Sequence, residues 1–286
     1  MAKGTEIKRR IKSIKSMLQV TKAMELIASI KMRKANEAAL RSKTYVFESW
    51  RSVIRLAKSP ENQNLRFFRK PVTGKILALV ITSDKGLCGS YNADILRKTV
   101  SFIKEHGIDQ IDFITVGAKA GQFIKKVGGN IIADFPPYQQ VRFTMASPIA
   151  LLGWEGFKEK KYSRFISIHT HFESAIKRES TILQILPIDI ENIGANVEEE
   201  GVQYKFEPSR KEVLPQIIRQ IIRAITYQVI LESEAAEHAS RMIAMKNATE
   251  SAQELKEDFE FTYNQLRQQN ITQELAEISA GVNALY

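Results

Sequence analysis

The stretch TKAMELIASIKMRKA, Thr21 to Ala35, lies inside a window of 55 residues, Thr5 to Ser59, that contains neither glycine nor proline. Helices average about 11 to 12 residues, so an uninterrupted window of this length predicts one long helix, some ~80 Å at ~1.5 Å per residue. A second such window covers 65 residues, Gln216 to Ala280, and predicts a helix of about 100 Å. Two windows of this kind in one chain read as a coiled coil. Within the quoted stretch Ala23, Met24, Leu26, Ile27, Ala28 and Ile30 point almost all the way round the helix. A single partner helix covers one side only, so something further must enclose the rest.

Between the windows the composition changes. Between Pro60 and Pro215, which bound it, that middle part holds 12 of the 14 glycines and the other six of the eight prolines. Its apolar residues come in short runs, ILALVITS, IDFITVG, NIIADFP, RFISIHTHF and TILQILPI, and helix-like NADILRKTVSFIKEHG and AKAGQFIKKVG lie between them. Strand and helix in alternation predict an α/β layer with a mostly parallel sheet. The expected architecture is α/β with long helices: an antiparallel two-helix coiled coil formed by the N- and C-terminal helices, with an inserted Rossmann-like α/β domain. The corresponding segments are 1–58, 72–192 and 209–286.

The apolar stripes support the pairing. Ile7, Ile11, Ile14 and Leu18 recur in steps of three and four, as do Ala252, Leu255, Phe259, Thr262 and Leu266, which places each set on one helix face. Ala235, Ala236, Ala239, Ala244, Ala248 and Ala252 are small enough to let two backbones come close. A third stripe, Ile271, Leu275, Ile278, Val282 and Leu285, follows the same spacing where the longer helix outruns the shorter. It has no partner in the chain.

Composition excludes several classes. At 286 residues and 44% hydrophobic the chain buries one or two cores. Its longest apolar runs, such as Ile76 to Ile81, are far short of the ~20 residues that span a bilayer. No direct membrane insertion is expected. The basic start leads into no apolar signal core. One cysteine, Cys88, permits neither an internal disulfide nor a Cys-rich zinc site. His169 and His171 share a strand face, but no nearby Cys or carboxylate completes a metal set, so no metal is expected. SDKGLCGSYN follows a predicted strand and opens a helix, where a phosphate-cradling loop would sit. It matches neither G-x-G-x-x-G nor G-x-x-x-x-G-K-[ST]. Gly86 and Gly89 are expected to form a tight turn with Cys88 buried between them. No catalytic set and no cofactor site emerge.

Charge is concentrated. Residues 1–58 carry 15 Lys and Arg against four Asp and Glu, a net of +11, whereas the other 228 residues carry 27 against 28. A nucleic-acid-binding basic coiled coil is therefore the alternative reading. It leaves the apolar ring and the aliphatic tip without a role, since a phosphate-facing surface uses neither.

IKSIKSMLQVTKAMELIASIKMRKA, SDKGLCGSYN, ASRMIAMKNAT and NQLRQQNITQELAEISAGVNAL together resemble the gamma subunit family of the F-type rotary ATP synthase, in register over essentially the whole chain. One departure is Val282, where the family has alanine after the glycine. The resemblance implies a central rotor shaft inside a ring of alpha and beta subunits, with the α/β part engaging the epsilon subunit and the c-ring. It implies no nucleic-acid partner. Proton-driven rotation would then bias the catalytic beta subunits for ATP synthesis, with no covalent step on this chain. By motif match, Arg267, Gln268 and Thr272 correspond to a polar cluster that engages a catalytic subunit. Lys22, Met24 and Glu25 fall where the first helix meets a beta-subunit loop, and Ile278 and Leu285 belong to the tip within its collar. Because the match begins near Glu6, no presequence is expected, which implies a bacterial peripheral protein on the cytoplasmic face of the inner membrane.

Overall fold

The computed structural model describes residues 2–57, 66–68, 73–136, 142–188 and 210–283. Both glycine- and proline-free windows are helical: α1 spans Ala2–Ala57 and α5 spans Arg210–Asn283. Pro215 is the sixth residue of α5, where its missing N–H leaves the carbonyl four residues earlier without its helical donor. The five strands are β1 (Lys75–Ile81), β2 (Ile111–Val116), β3 (Asn130–Phe135), β4 (Tyr162–Phe172) and β5 (Arg178–Leu186). Between them lie α2 (Tyr91–His106), α3 (Ala118–Lys126) and α4 (Phe143–Lys158). No helix among the described residues is long and apolar enough to cross a membrane.

The chain divides into two compact units, Met1–Ala28 with Arg241–Tyr286, and Ser29–Ser240. In the second unit the strands form one sheet in the order β3-β2-β1-β4-β5, parallel throughout except for the antiparallel β4–β5 pair. Both faces of β1 are covered. Ile76, Ala78 and Val80 join Ile95, Phe102, Phe113 and Ile124 in one core, and Leu77, Leu79 and Ile81 join Ile149, Phe157, Ile218 and Ile222 in another. Residues alternate across a strand, so a run without polar breaks is the signature of burial on both sides. Leu214, Ile218, Ile221, Ile225 and Val229 of α5 recur in steps of three and four and are all buried in that second core.

Helix α4 carries Pro148, Gly153 and Gly156, residues that ordinarily argue against a helix. Their reason lies in the neighbouring strand. A methyl group on Gly153 would come within 2.5 Å of the Phe165 ring, and one on Gly156 within 2.4 Å of the Tyr162 ring. The glycines let α4 lie directly on two fully buried aromatics of β4. The Tyr162 hydroxyl then donates to Asp112 at 3.0 Å. Burial raises the Asp112 pKa, but hydrogen bonds from Asn130, Tyr162 and Lys75 outweigh it and hold the carboxyl below its usual range.

Candidate partner-binding surface

In the unit built from Met1–Ala28 and Arg241–Tyr286, the helix direction follows from three contacts. The hydroxyls of Thr21 and Thr249 share a 2.8 Å hydrogen bond, Lys15 pairs with Glu260 at 3.1 Å, and the Arg10 guanidinium lies over the Phe259 ring. From Arg10 and Lys15 to Thr21 along α1 the partners fall from Phe259 and Glu260 to Thr249 along α5, so the pair is antiparallel. Ile11, Thr21 and Ala28 are buried on one side, and Met245 and Ala252 on the other.

The seam of α5 departs from the expected one. Ala252, Phe259 and Leu266 face inward, but Leu255 is 52% exposed and Thr262 is also exposed; the half-buried positions between them are Lys256 and Tyr263. A 3.6-residue helix drifts against any chosen three-and-four pattern. The ring of Tyr263 and the aliphatic stem of Lys256 therefore cover the groove that Leu255 and Thr262 were expected to fill.

Much apolar surface of this unit stays uncovered. Met17, Val20 and Ile27 are each more than half exposed, and with half-buried Met24 they recur in steps of three, four and three. This is a second stripe, outside the seam. Leu26 at 56% adds to it. Sequence reasoning saw the ring from Ala23 to Ile30 but missed Met17 and Val20, which the same step count reaches. It also missed Phe261, 72% exposed on α5.

Lys22 pairs with Glu25 at 3.0 Å, the carboxylate mostly covered and the ammonium largely exposed. Arg267 and Gln268 are exposed, and Thr272 turns its hydroxyl back to the Gln268 carbonyl at 2.9 Å. By the antiparallel pairing, Arg267 lies opposite the first residues of α1, roughly 28 Å along the axis from Lys22. The expected contact residues thus form two separate groups. Every side chain from Arg267 to Ala280 is exposed, with Ile271, Leu275 and Ile278 at 44%, 60% and 64%. Leu285 and the side chain of Val282 lie outside the described residues.

In the α/β unit the usual ligand position is closed. Open α/β sheets bind ligands beyond the carboxyl ends of the strands where the strand order reverses, here between β1 and β4. The SDKGLCGSYN loop fills that crevice with its own polar groups. Ser83 N–H donates to Asn92 Oδ1 at 3.0 Å, Asn92 Nδ2 donates to Ser83 Oγ at 2.7 Å, and Ser83 Oγ donates to the Lys85 carbonyl. Cys88 is 2% exposed, and Ser240 of α5 donates to its carbonyl at 2.6 Å. The left-handed positions of the turn are Leu87 and Gly89, not Gly86. The two histidines of β4 share the strand face that looks toward Glu232, as their spacing predicts. His171 donates to Glu232 at 2.6 Å, while His169 is fully buried against Ser167, and burial lowers its pKa to about 4.

Comparison with known proteins agrees with this geometry. The family model described as ATP synthase matches residues 3–285. The ATP synthase gamma chain of Heliobacterium modesticaldum is 35% identical over 286 residues, covering 98% of each chain. That of Staphylococcus haemolyticus is 33% identical over the full length of both. Among solved structures, a chain from the central stalk and c-ring of the Tetrahymena thermophila mitochondrial ATP synthase is 25% identical, with a TM-score of 0.65 over 80% of this chain and 99% of that one. A Euglena gracilis mitochondrial ATP synthase chain shares the fold with a TM-score of 0.68 over 99% of this chain. With full-length relatives above 30% identity and a family model spanning nearly every residue, this chain belongs to the family of ATP synthase gamma chains.

Proposed function

We propose that the helix pair is the central rotor shaft of an F-type ATP synthase. Alpha and beta subunits enclose it, and the α/β unit engages the epsilon subunit and the c-ring. One observation carries the reading: the exposed stripe Ile271, Leu275 and Ile278, which nothing among the described residues covers. A surrounding collar supplies the missing cover. The second stripe, Met17, Val20, Met24 and Ile27, supports a sleeve lower on the shaft.

Lys22, Met24 and Glu25 form one contact group with a catalytic subunit, and Arg267, Gln268 and Thr272 form another, with Ile278 and Leu285 in the collar. Exposed ion pairs are each worth about 0 to 1 kcal/mol, weak enough to exchange as the shaft turns. The chain itself performs no covalent step. It biases the catalytic sites through differential contacts at each angle, driven by ion flow through the c-ring. It is held by its partners at the cytoplasmic face of the cell membrane, and segments 1–58, 72–192 and 209–286 are the shaft helix, the foot and the return helix.

A tag on the α/β unit tests the reading. Purification should recover one copy of this chain per three alpha–beta pairs, and a bead on the tag should rotate during ATP hydrolysis. Equal stoichiometry, or a bead that stays fixed in an active complex, would sink it.

A further inference from the structure

We infer that the α/β unit binds a small free phosphorylated anion in the groove between α2 and the β4–β5 hairpin. The groove encloses about 390 Å³, within the usual range for small-molecule sites. Helix α2 lines it with Ser90, Arg97 and Lys98, and the hairpin with Thr170, Arg178 and Ser180. Thr170 pairs with Ser180 and Phe172 with Arg178 across the hairpin. Alternate residues share a face, so Thr170, Arg178 and Ser180 all face α2. Glu179 also borders the groove, but it pairs with His171, whose side chain meets Glu232 on the opposite face.

Two features separate this groove from ordinary polar surface. Thr170 is 4% exposed, yet its hydroxyl has no hydrogen-bond partner among the described residues. Buried hydroxyls are nearly always paired, and an exception asks for a missing partner. Thr170 stands on the α2 side of β4 with Ser180 and Arg178, so its unpaired hydroxyl lies directly beneath the groove these residues line. The second feature is Arg178. Its Nη1 donates to the Ala175 carbonyl at 2.6 Å, which uses one of five donors. Burial lowers its pKa, and Asp94 is the opposing charge. The Asp94 carboxylate is already engaged by Arg97 at 2.9 Å.

Three cations therefore face the groove against one committed carboxylate from α2. Ser90 precedes α2 without capping it, which leaves a hydroxyl and the positive end of a 16-residue helix on the same side. A phosphoryl group matches this set: it carries more than one negative charge, and its several oxygens accept from guanidinium, ammonium and hydroxyl donors together. A planar carboxylate would satisfy fewer of them, and an apolar ligand none. The groove adjoins the closed crevice beyond β1, with Ser90 and Ser240 on the border between them.

The test uses the purified full-length chain and inorganic phosphate, with sodium chloride at matched ionic strength as the control. Phosphate should raise the melting temperature saturably in the low millimolar range, and chloride should not. Arg178→Gln should weaken phosphate binding by about tenfold or more, as expected for loss of a charge-assisted donor. Thr170→Val should melt above the wild type without phosphate, because the orphaned hydroxyl is gone, and gain less from added phosphate. If Arg178→Gln fails to fold, Arg97→Gln with Lys98→Gln on the exposed face of α2 should give the same loss. No saturable response in the wild type would overturn the inference, as would an equal response in all variants.

Discussion

The hydroxyl of Ser240 donates a 2.6 Å hydrogen bond to the carbonyl of Cys88, tying α5 to the loop that follows β1. Those residues are 152 apart in sequence, and the bond closes the crevice in which other open α/β sheets hold ligands. Ser240→Ala removes the shorter of two hydrogen bonds to this carbonyl, which keeps the one from the Tyr91 N–H at 3.2 Å, at a cost of about 0.5 to 1.5 kcal/mol. Alkylation of native Cys88, negligible in the wild type, should speed up by roughly tenfold as the loop opens more often. An unchanged labelling rate would show that the bond does not hold the loop shut.

Stability should depend on pH through Glu234. Burial, then the neighbouring Glu237, raise its pKa from 4.5 to about 7, with Lys31 opposing. A carboxyl that binds its proton more tightly when folded destabilises the fold progressively as pH rises from about 4.5 to about 7. Glu234→Gln should therefore stabilise the chain at pH 8 by on the order of 2 kcal/mol and make no difference near pH 4. Denaturant melts at the two pH values give the comparison, and a gain of equal size at both would contradict it.

Gly156→Ala should be costly despite the higher helix propensity of alanine. Its methyl would meet the Tyr162 ring at 2.4 Å, and overpacking of this kind costs roughly 1 to 3 kcal/mol. The same shift would disturb the hydrogen bond from Tyr162 to Asp112. A melting temperature at or above the wild-type value would mean that α4 moves freely on β4.

The outer stripe should matter only in the complex. Leu26→Gln with Ile27→Gln replaces side chains that are 56% and 55% exposed, so the isolated chain should change by no more than about 0.5 kcal/mol. Assembly with alpha and beta subunits should weaken clearly, because each side chain loses up to ~1.5 to 3 kcal/mol of burial. Sedimentation of reconstituted complexes separates the two effects. Equal stability of mutant and wild-type complexes would remove the sleeve.

Truncation distinguishes the tip from the cluster below it. Deleting Ile278 to Tyr286 should lower complex stability and turnover and leave the direction of rotation intact. Deleting back past Arg267 should also reduce torque sharply. Since the described side chains from Arg267 on are exposed, neither deletion should alter the melting of the isolated chain. Identical torque in both truncated complexes would make tip and cluster one functional unit.

The two long helices and all five strands were legible because each is written in a local signal: absence of glycine and proline, or a short apolar run. The parallel sheet followed from the alternation. Helix α4 was not legible, since Pro148, Gly153 and Gly156 speak against a helix until the rings of Tyr162 and Phe165 are placed beneath them. The seam of α5 was read one position off at Leu255 and Thr262, because pattern counting cannot tell a leucine that faces a groove from one that waits for another protein. The closure of the crevice by Ser240 had no local signal, since only the fold brings α5 to Cys88. Conversely, the uncovered tip was visible from a difference in helix length alone.

That tip has a consequence for how the complex is put together. A helical run of 14 side chains, Arg267 to Ala280, with none of them buried, is held mainly by its own backbone ladder, and a segment of that length is marginal in water. The antiparallel pair below supplies the nucleus, so the run grows and melts from that end on the sub-microsecond scale of helix–coil exchange. Entry into a collar then selects the helical state turn by turn, and each turn that enters buries one member of the stripe. In the proposed complex the collar would therefore fix the last ~20 Å, and part of the loss of chain entropy would fall at threading.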